Sequence, residues 1–81
     1  MIFCDQVRAG RALLSWSQLD LAKAASVGVA TVRRLEASKA EIRGAAETLW
    51  KIQTALEAAG VEFIPGDEEK GPGVRLRTPT R

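Results

Sequence analysis

The chain has 81 residues, with 12 Lys and Arg against 10 Asp and Glu, a single cysteine and no histidine. This is one domain at most, near the lower size limit for a self-sufficient core. The missing histidines remove the usual general base, the commonest metal ligand and the usual pH switch. Cys4 alone can form no internal disulfide and argues against a structural zinc site, so no cofactor or metal is expected and a reducing cytoplasm is the natural home.

Apolar runs are short and interrupted by charge, so neither a signal peptide nor a membrane span is expected. The net charge of +2 is small, but its distribution is uneven. Between Arg8 and Arg43 stand seven basic residues, Arg8, Arg11, Lys23, Arg33, Arg34, Lys39 and Arg43, against Asp20, Glu36 and Glu41, an excess of +4. From Gly60 to Arg81 the charges balance. A local cationic excess points toward an anionic partner.

The first predicted helix runs from Cys4 to Leu14, with Val7, Gly10, Arg11 and Leu14 on one side at helical spacing. Ser15 and Trp16 break it. Ser17 reads as an N-cap with Asp20 at the third helical position, and Trp16 and Leu21 stand where a hydrophobic staple would put them. A second helix then spans Gln18 to Ala25 and buries Leu21, Ala22 and Ala25. After a short turn at Ser26 and Val27, with Gly28 as cap, a third helix covers Val29 to Ala37. At about 100° per residue, Val32 and Leu35 lie inward with Thr31 at their edge. Val29, Ala30, Arg33, Arg34 and Ala37 share the other side.

Lys39 to Gly44 reads as a loop. Ala45 to Ala59 forms the clearest helix, with Ala45, Leu49, Ile52, Leu56 and Ala59 as its buried stripe and Gly60 as its C′ residue. Trp50 falls off that stripe and needs cover, from the C-terminal strands or from a second subunit, the former being the simpler expectation. Val61 to Ile64 and Val74 to Arg77 alternate as two strands of an antiparallel hairpin, joined by a charged loop carrying Asp67, Glu68 and Glu69. Residues 78–81 read as a frayed tail.

The stretch SQLDLAKAASVGVATVRRLEAS resembles the Cro/C1-type (Xre) helix-turn-helix domain, whose pattern is Ser/Thr-Gln-x-x-Leu-Ala, a turn, then Thr-Ile/Val-x-x-Leu/Ile-Glu. The matching positions are Ser17, Gln18, Leu21, Ala22, Ala25, Val27, Thr31, Val32, Leu35 and Glu36. The upstream RAGRALLSWSQ is similar to that family's first helix, including Arg11, seven residues before the Gln. The likeness extends over roughly residues 7–59. The chain departs from the pattern at Ser26, where Gly is usual, at Gly28, where Ser or Thr usually caps, and at Val29 and Ala30, where relatives often carry Gln or Arg and which cannot hydrogen-bond a base through their side chains.

The resemblance implies a mainly α fold, a compact four- to five-helix, lambda-repressor-like domain over residues 4–60 with a two-stranded β extension over 61–77. It also implies a structural ion pair between Arg11 and Glu36, which would relieve the charge that Arg11 carries onto an inward stripe. It implies double-stranded DNA as partner. Arg33 and Arg34 would then read bases, with Val29 and Ala30 meeting thymine methyls or simply permitting close approach. Ser17 and Gln18, with Lys39 and Arg43, would hold phosphates. Thr31 is expected to satisfy a backbone group.

Such domains usually bind pseudo-palindromes as dimers, so a homodimer through the C-terminal helix and strands is expected. The main functional expectation is therefore a cytoplasmic, nucleoid-associated transcription regulator, most simply a repressor, without enzymatic activity. The alternative is an antitoxin-like interaction module that binds a protein partner through its C-terminal strands.

Overall fold

The computed structural model describes residues 4–37 and 46–79. Among these are four helices and two strands: α1 (Cys4–Leu14), α2 (Gln18–Ala25), α3 (Val29–Ala37), α4 (Ala46–Ala58), β1 (Val61–Ile64) and β2 (Gly73–Leu76). The architecture is mainly helical. The predicted loop at Lys39–Gly44, and Ala45, lie outside the described residues. No helix among the described residues is long and apolar enough to cross a membrane.

Local chemistry sets the helix boundaries. At α2 the Ser17 hydroxyl accepts from the Asp20 N–H (3.0 Å), and the Asp20 carboxylate accepts from the Ser17 N–H (2.9 Å), a complete capping box. Both α1 and α2 terminate on a serine in the left-handed region, Ser15 at φ 57° and Ser26 at φ 58°. At each end the next N–H reaches back five residues, Trp16 to the Arg11 carbonyl (2.9 Å) and Val27 to the Ala22 carbonyl (3.0 Å). These wider loops satisfy carbonyls that the helix would otherwise leave without partners. Neither serine is suited to that conformation, because Cβ crowds the backbone there.

The third helix has no side-chain cap. It begins instead on the Gly28 carbonyl, which accepts from the Thr31 and Val32 N–H groups. At the far end of α4, Gly60 adopts φ 109° and turns the chain into β1.

Leu21, Val32, Ile52, Leu56 and Val61 are wholly buried, and Val7 nearly so. Burying each such side chain contributes about 1.5–3 kcal/mol. They draw on all four helices and on β1, so the hairpin belongs to the core and does not merely extend it. It pairs antiparallel in the register Val61↔Leu76 to Ile64↔Gly73. Strand β2 starts at Gly73, one residue earlier than the alternation suggested, because Gly73 is the ladder partner of Ile64. Glu62 and Arg75 face each other across the strands at 2.8 Å.

Two expectations are corrected. Ala59 is exposed rather than part of the buried stripe, since α4 ends at Ala58 and Ala59 has entered the turn. Trp50 is 66% exposed, so the hairpin does not cover it. The hairpin packs on the α1 side of α4, while Trp50 stands by the C-terminal end of α2.

Gly10 lies on the buried face of α1, where an added Cβ would sit 3.5 Å from the nearest Leu56 and Val61 carbons, an ordinary contact. Gly10→Ala should therefore raise unfolding free energy by about 1 kcal/mol through helix propensity. Ser26→Gly should raise it by about 0.5–1 kcal/mol by relieving the left-handed serine. Urea melts would test both; a lower midpoint for either variant would refute its rationale.

The Asp20 carboxyl is held below its ordinary value, first by the Ser17 N–H and then by the Ser17 hydroxyl. A lowered folded pKa means that the stabilisation is present above the unfolded value and lost as pH falls through the folded one. The wild type should exceed Asp20→Asn in stability at neutral pH. That gap should close on acidification below the ordinary aspartate range, as read from melts across a pH series.

Candidate nucleic-acid interface

Helix α3 presents its two arginines to solvent. Ala30, Arg33, Arg34 and Ala37 are exposed, while Val32 is wholly buried and Leu35 packs half-buried on the core. Arg33 has no hydrogen-bond or ion-pair partner among the described residues. Arg34 has only the Thr31 hydroxyl, to which its Nη2 donates at 3.4 Å. Thr31 therefore serves Arg34 rather than a backbone group.

Val29 departs from the helical arithmetic. It is half-buried and packs against the core, at the start of α3 just after the short Ser26–Gly28 turn. The accessible surface is thus two small residues and two guanidinium groups, with no acid among them. Such a surface lets a helix backbone approach closely while offering planar, bidentate donors.

The orientation of this face is set from behind. Glu36, on the buried side of α3, is only 4% exposed. Its carboxylate receives two parallel bonds from Arg11, Nε to Oε2 and Nη2 to Oε1, both at 2.7 Å. A third bond comes from Gln18, Nε2 to Oε1 at 3.1 Å. Arg11 also donates Nη1 to the Trp16 carbonyl at 2.9 Å, tying in the turn between α1 and α2. Arg8 donates to the Glu36 backbone carbonyl and pairs with Asp5. One residue of α3 is thereby fastened to α1 and to the first residue of α2.

This forked geometry is the strong form of a charge-assisted pair. The Arg11 pKa is raised, chiefly by its hydrogen bonds to Glu36, against an opposing effect of burial. Arg11 is therefore charged at every usable pH.

The expected phosphate-binding residues fare differently. Ser17 is exposed, with its hydroxyl committed to the cap of α2. Gln18 is half-buried with its amide turned inward to Glu36, so it is a member of the clamp as well as the first residue of α2. Leu19 beside it is 50% exposed. Lys39 and Arg43 lie outside the described residues.

Sequence reasoning missed two polar residues of α1. Gln6, 4% exposed, donates Nε2 to the carbonyls of Ile64 (3.3 Å) and Gly73 (3.0 Å), pinning α1 to the loop end of the hairpin. Its place beside Val7 and four residues before Gly10 was the available signal; its backbone partners were not foreseeable. Arg8 was counted only as a charge, because its acceptor is a carbonyl on another helix.

Among the described residues no group of His, Cys, Asp and Glu could hold a metal ion. The chain matches no model of a known protein family, and no curated protein matches it.

Removing one partner of the clamp leaves the other charge without compensation. Glu36→Ala or Arg11→Ala should each cost about 3 kcal/mol, the lower end of the range for buried pairs because the Arg11 side chain is still 18% exposed. The double variant Arg11→Ala/Glu36→Ala should cost clearly less than the sum of the two. Additive losses in a double-mutant cycle would mean that the pair is not coupled.

Proposed function

We propose that this chain is a sequence-specific, double-stranded DNA-binding transcription regulator of the Cro/C1 helix-turn-helix type, without catalytic activity. It acts as a homodimer on a pseudo-palindromic operator, most simply as a repressor in the cytoplasm, associated with the nucleoid. The observation that carries this reading is the acid-free face of α3, where Arg33 and Arg34 project among small residues while Glu36 is locked behind them. The sequence likeness over residues 7–59 supports it, as does the short turn that joins α2 to α3.

In this reading α3 lies in the major groove. Arg33 donates two bonds to guanine O6 and N7, and Arg34 reads a base or reaches the flanking phosphate. Ala30 allows close approach, and the exposed edge of Val29 meets a thymine methyl. The N-terminus of α2 adds backbone N–H groups at a phosphate, with the Ser17 and Gln18 side chains as further contacts. Lys39 and Arg43 complete the phosphate contacts. Gln18 links the two tasks, since its backbone stands at the N-terminus of α2 while its amide grips the residue that orients α3.

A second reading is an interaction module whose C-terminal strands bind a protein partner, as an antitoxin does. The sheet favours it, having two strands and no third among the described residues. Co-purification of a second small protein, released when the strands are altered, would bring that reading forward.

The deciding experiment is titration of a labelled fragment from upstream of the protein's own coding sequence, wild type beside Arg33→Ala, across a salt series. The wild type should bind with a steep inverse salt dependence. Arg33→Ala should lose about 1–3 kcal/mol on that fragment and discriminate less against unrelated DNA. Weak binding that Arg33→Ala leaves unchanged would refute DNA readout by α3.

A further inference from the structure

Thr31 and Arg34 stand three residues apart on α3, a spacing that makes side chains neighbours on a helix surface. Long side chains on a helix lean toward its N-terminus, so Arg34 passes back over Thr31. There its Nη2 donates to the Thr31 hydroxyl oxygen at 3.4 Å. That oxygen lies over the first turn, 3.9 Å from where a Cβ on Gly28 would stand. The hydroxyl has no part in starting the helix, since the Thr31 and Val32 N–H groups reach the Gly28 carbonyl.

Direction matters as much as contact. Val32 is wholly buried and Glu36 nearly so, which fixes the inward side of α3. At about 100° per residue, Arg34 lies about 160° round the helix from each of them. Its guanidinium therefore leaves the surface near the middle of the outward face, beside exposed Ala30. No acid stands among the described residues of that face to divert it.

We infer that Thr31 is a positioning residue that commits Arg34 to a base rather than a phosphate. The inference rests on the DNA reading above, which left Arg34 between the two. A guanidinium held over the N-terminal half of α3 stays within the groove that the helix fills. Phosphates flank that groove, and reaching one would swing Arg34 off Thr31. The tether occupies one Nη2 proton and leaves the other, with Nη1, to fork onto guanine O6 and N7. A 3.4 Å bond is long for N–H···O, so it biases the arginine without locking it. Part of the cost of ordering Arg34 is then met on folding and not on binding.

The test is a scan of single-base-pair variants of the operator fragment at several salt concentrations. It compares the wild type with Arg34→Ala, Thr31→Val, Thr31→Ser and the double variant Thr31→Val/Arg34→Ala. Valine keeps the shape of threonine without its hydroxyl, and serine keeps the hydroxyl. Arg34→Ala should flatten the preference at one position of each half-site. Thr31→Val should lower the preference at that same position roughly 2- to 10-fold, the worth of one side chain ordered in advance, with helical circular dichroism unchanged. Thr31→Ser should retain it. Once Arg34 is alanine, Thr31→Val should cost nothing more, because Thr31 acts only through the arginine.

Uniform weakening by Arg34→Ala, with a salt slope lower by about one, would put Arg34 on a phosphate and overturn the inference. Full preference in Thr31→Val, or an equal loss in Thr31→Ser, would remove the positioning role. A further loss in the double variant would make Thr31 a DNA contact in its own right. Where Arg33→Ala still relaxes specificity, each of these results sinks only the role of Thr31. A wild type without specific binding sinks the DNA reading, and this inference with it.

Discussion

Everything that gives α3 a defined outward face depends on one buried carboxylate. Glu36 receives three side-chain hydrogen bonds from residues of two other helices, while its own carbonyl is held by Arg8. An ion pair of this kind adds little net stability, because desolvation of both charges offsets most of their attraction. Its value is directional. Apolar packing at Val32 and Leu35 would tolerate some rotation of α3, whereas a forked Arg–carboxylate contact tolerates very little. Arg33 and Arg34 inherit their aim from that constraint.

The rest of the molecule can be understood as support for the clamp. Arg11 reaches Glu36 only because α1 is seated, and α1 is seated by Val7, Gly10 and Gln6 against Leu56, Val61 and the hairpin carbonyls. The hairpin thus acts on the candidate interface at two removes, through α1. A chain of this length has few layers to spare, so each element carries both packing and positioning.

Features governed by near neighbours were legible in the sequence. The capping box needs only Ser17 and Asp20, and the C-terminal ends of α1 and α2 follow from residues within one turn. Arg11 announced a partner by standing on an apolar stripe, and the family likeness pointed to Glu36. Residues whose role depends on distant backbone were not legible. Gln6 bonds carbonyls 58 and 67 positions away, and no local pattern specifies them. Trp50 could be placed off the buried stripe, but periodicity reports a direction and not what fills it. Val29 shows the same limit, because helical arithmetic places it beside Arg33 and does not report that the core reaches round to it.

One consequence of the Gln6 tie concerns the order of events during synthesis. Helix α1 is made early, yet its apolar face is completed by Leu56, Val61 and the Ile64 and Gly73 carbonyls, which emerge much later. Helices α2 and α3 can dock as neighbours, but closing a loop of some sixty residues must precede the reward from those late contacts. Until then a nascent chain exposes Val7 and the unsatisfied polar groups of α1. The α1 face is therefore completed only once both strands have been made, although its clamp to α3 needs only residues that precede them.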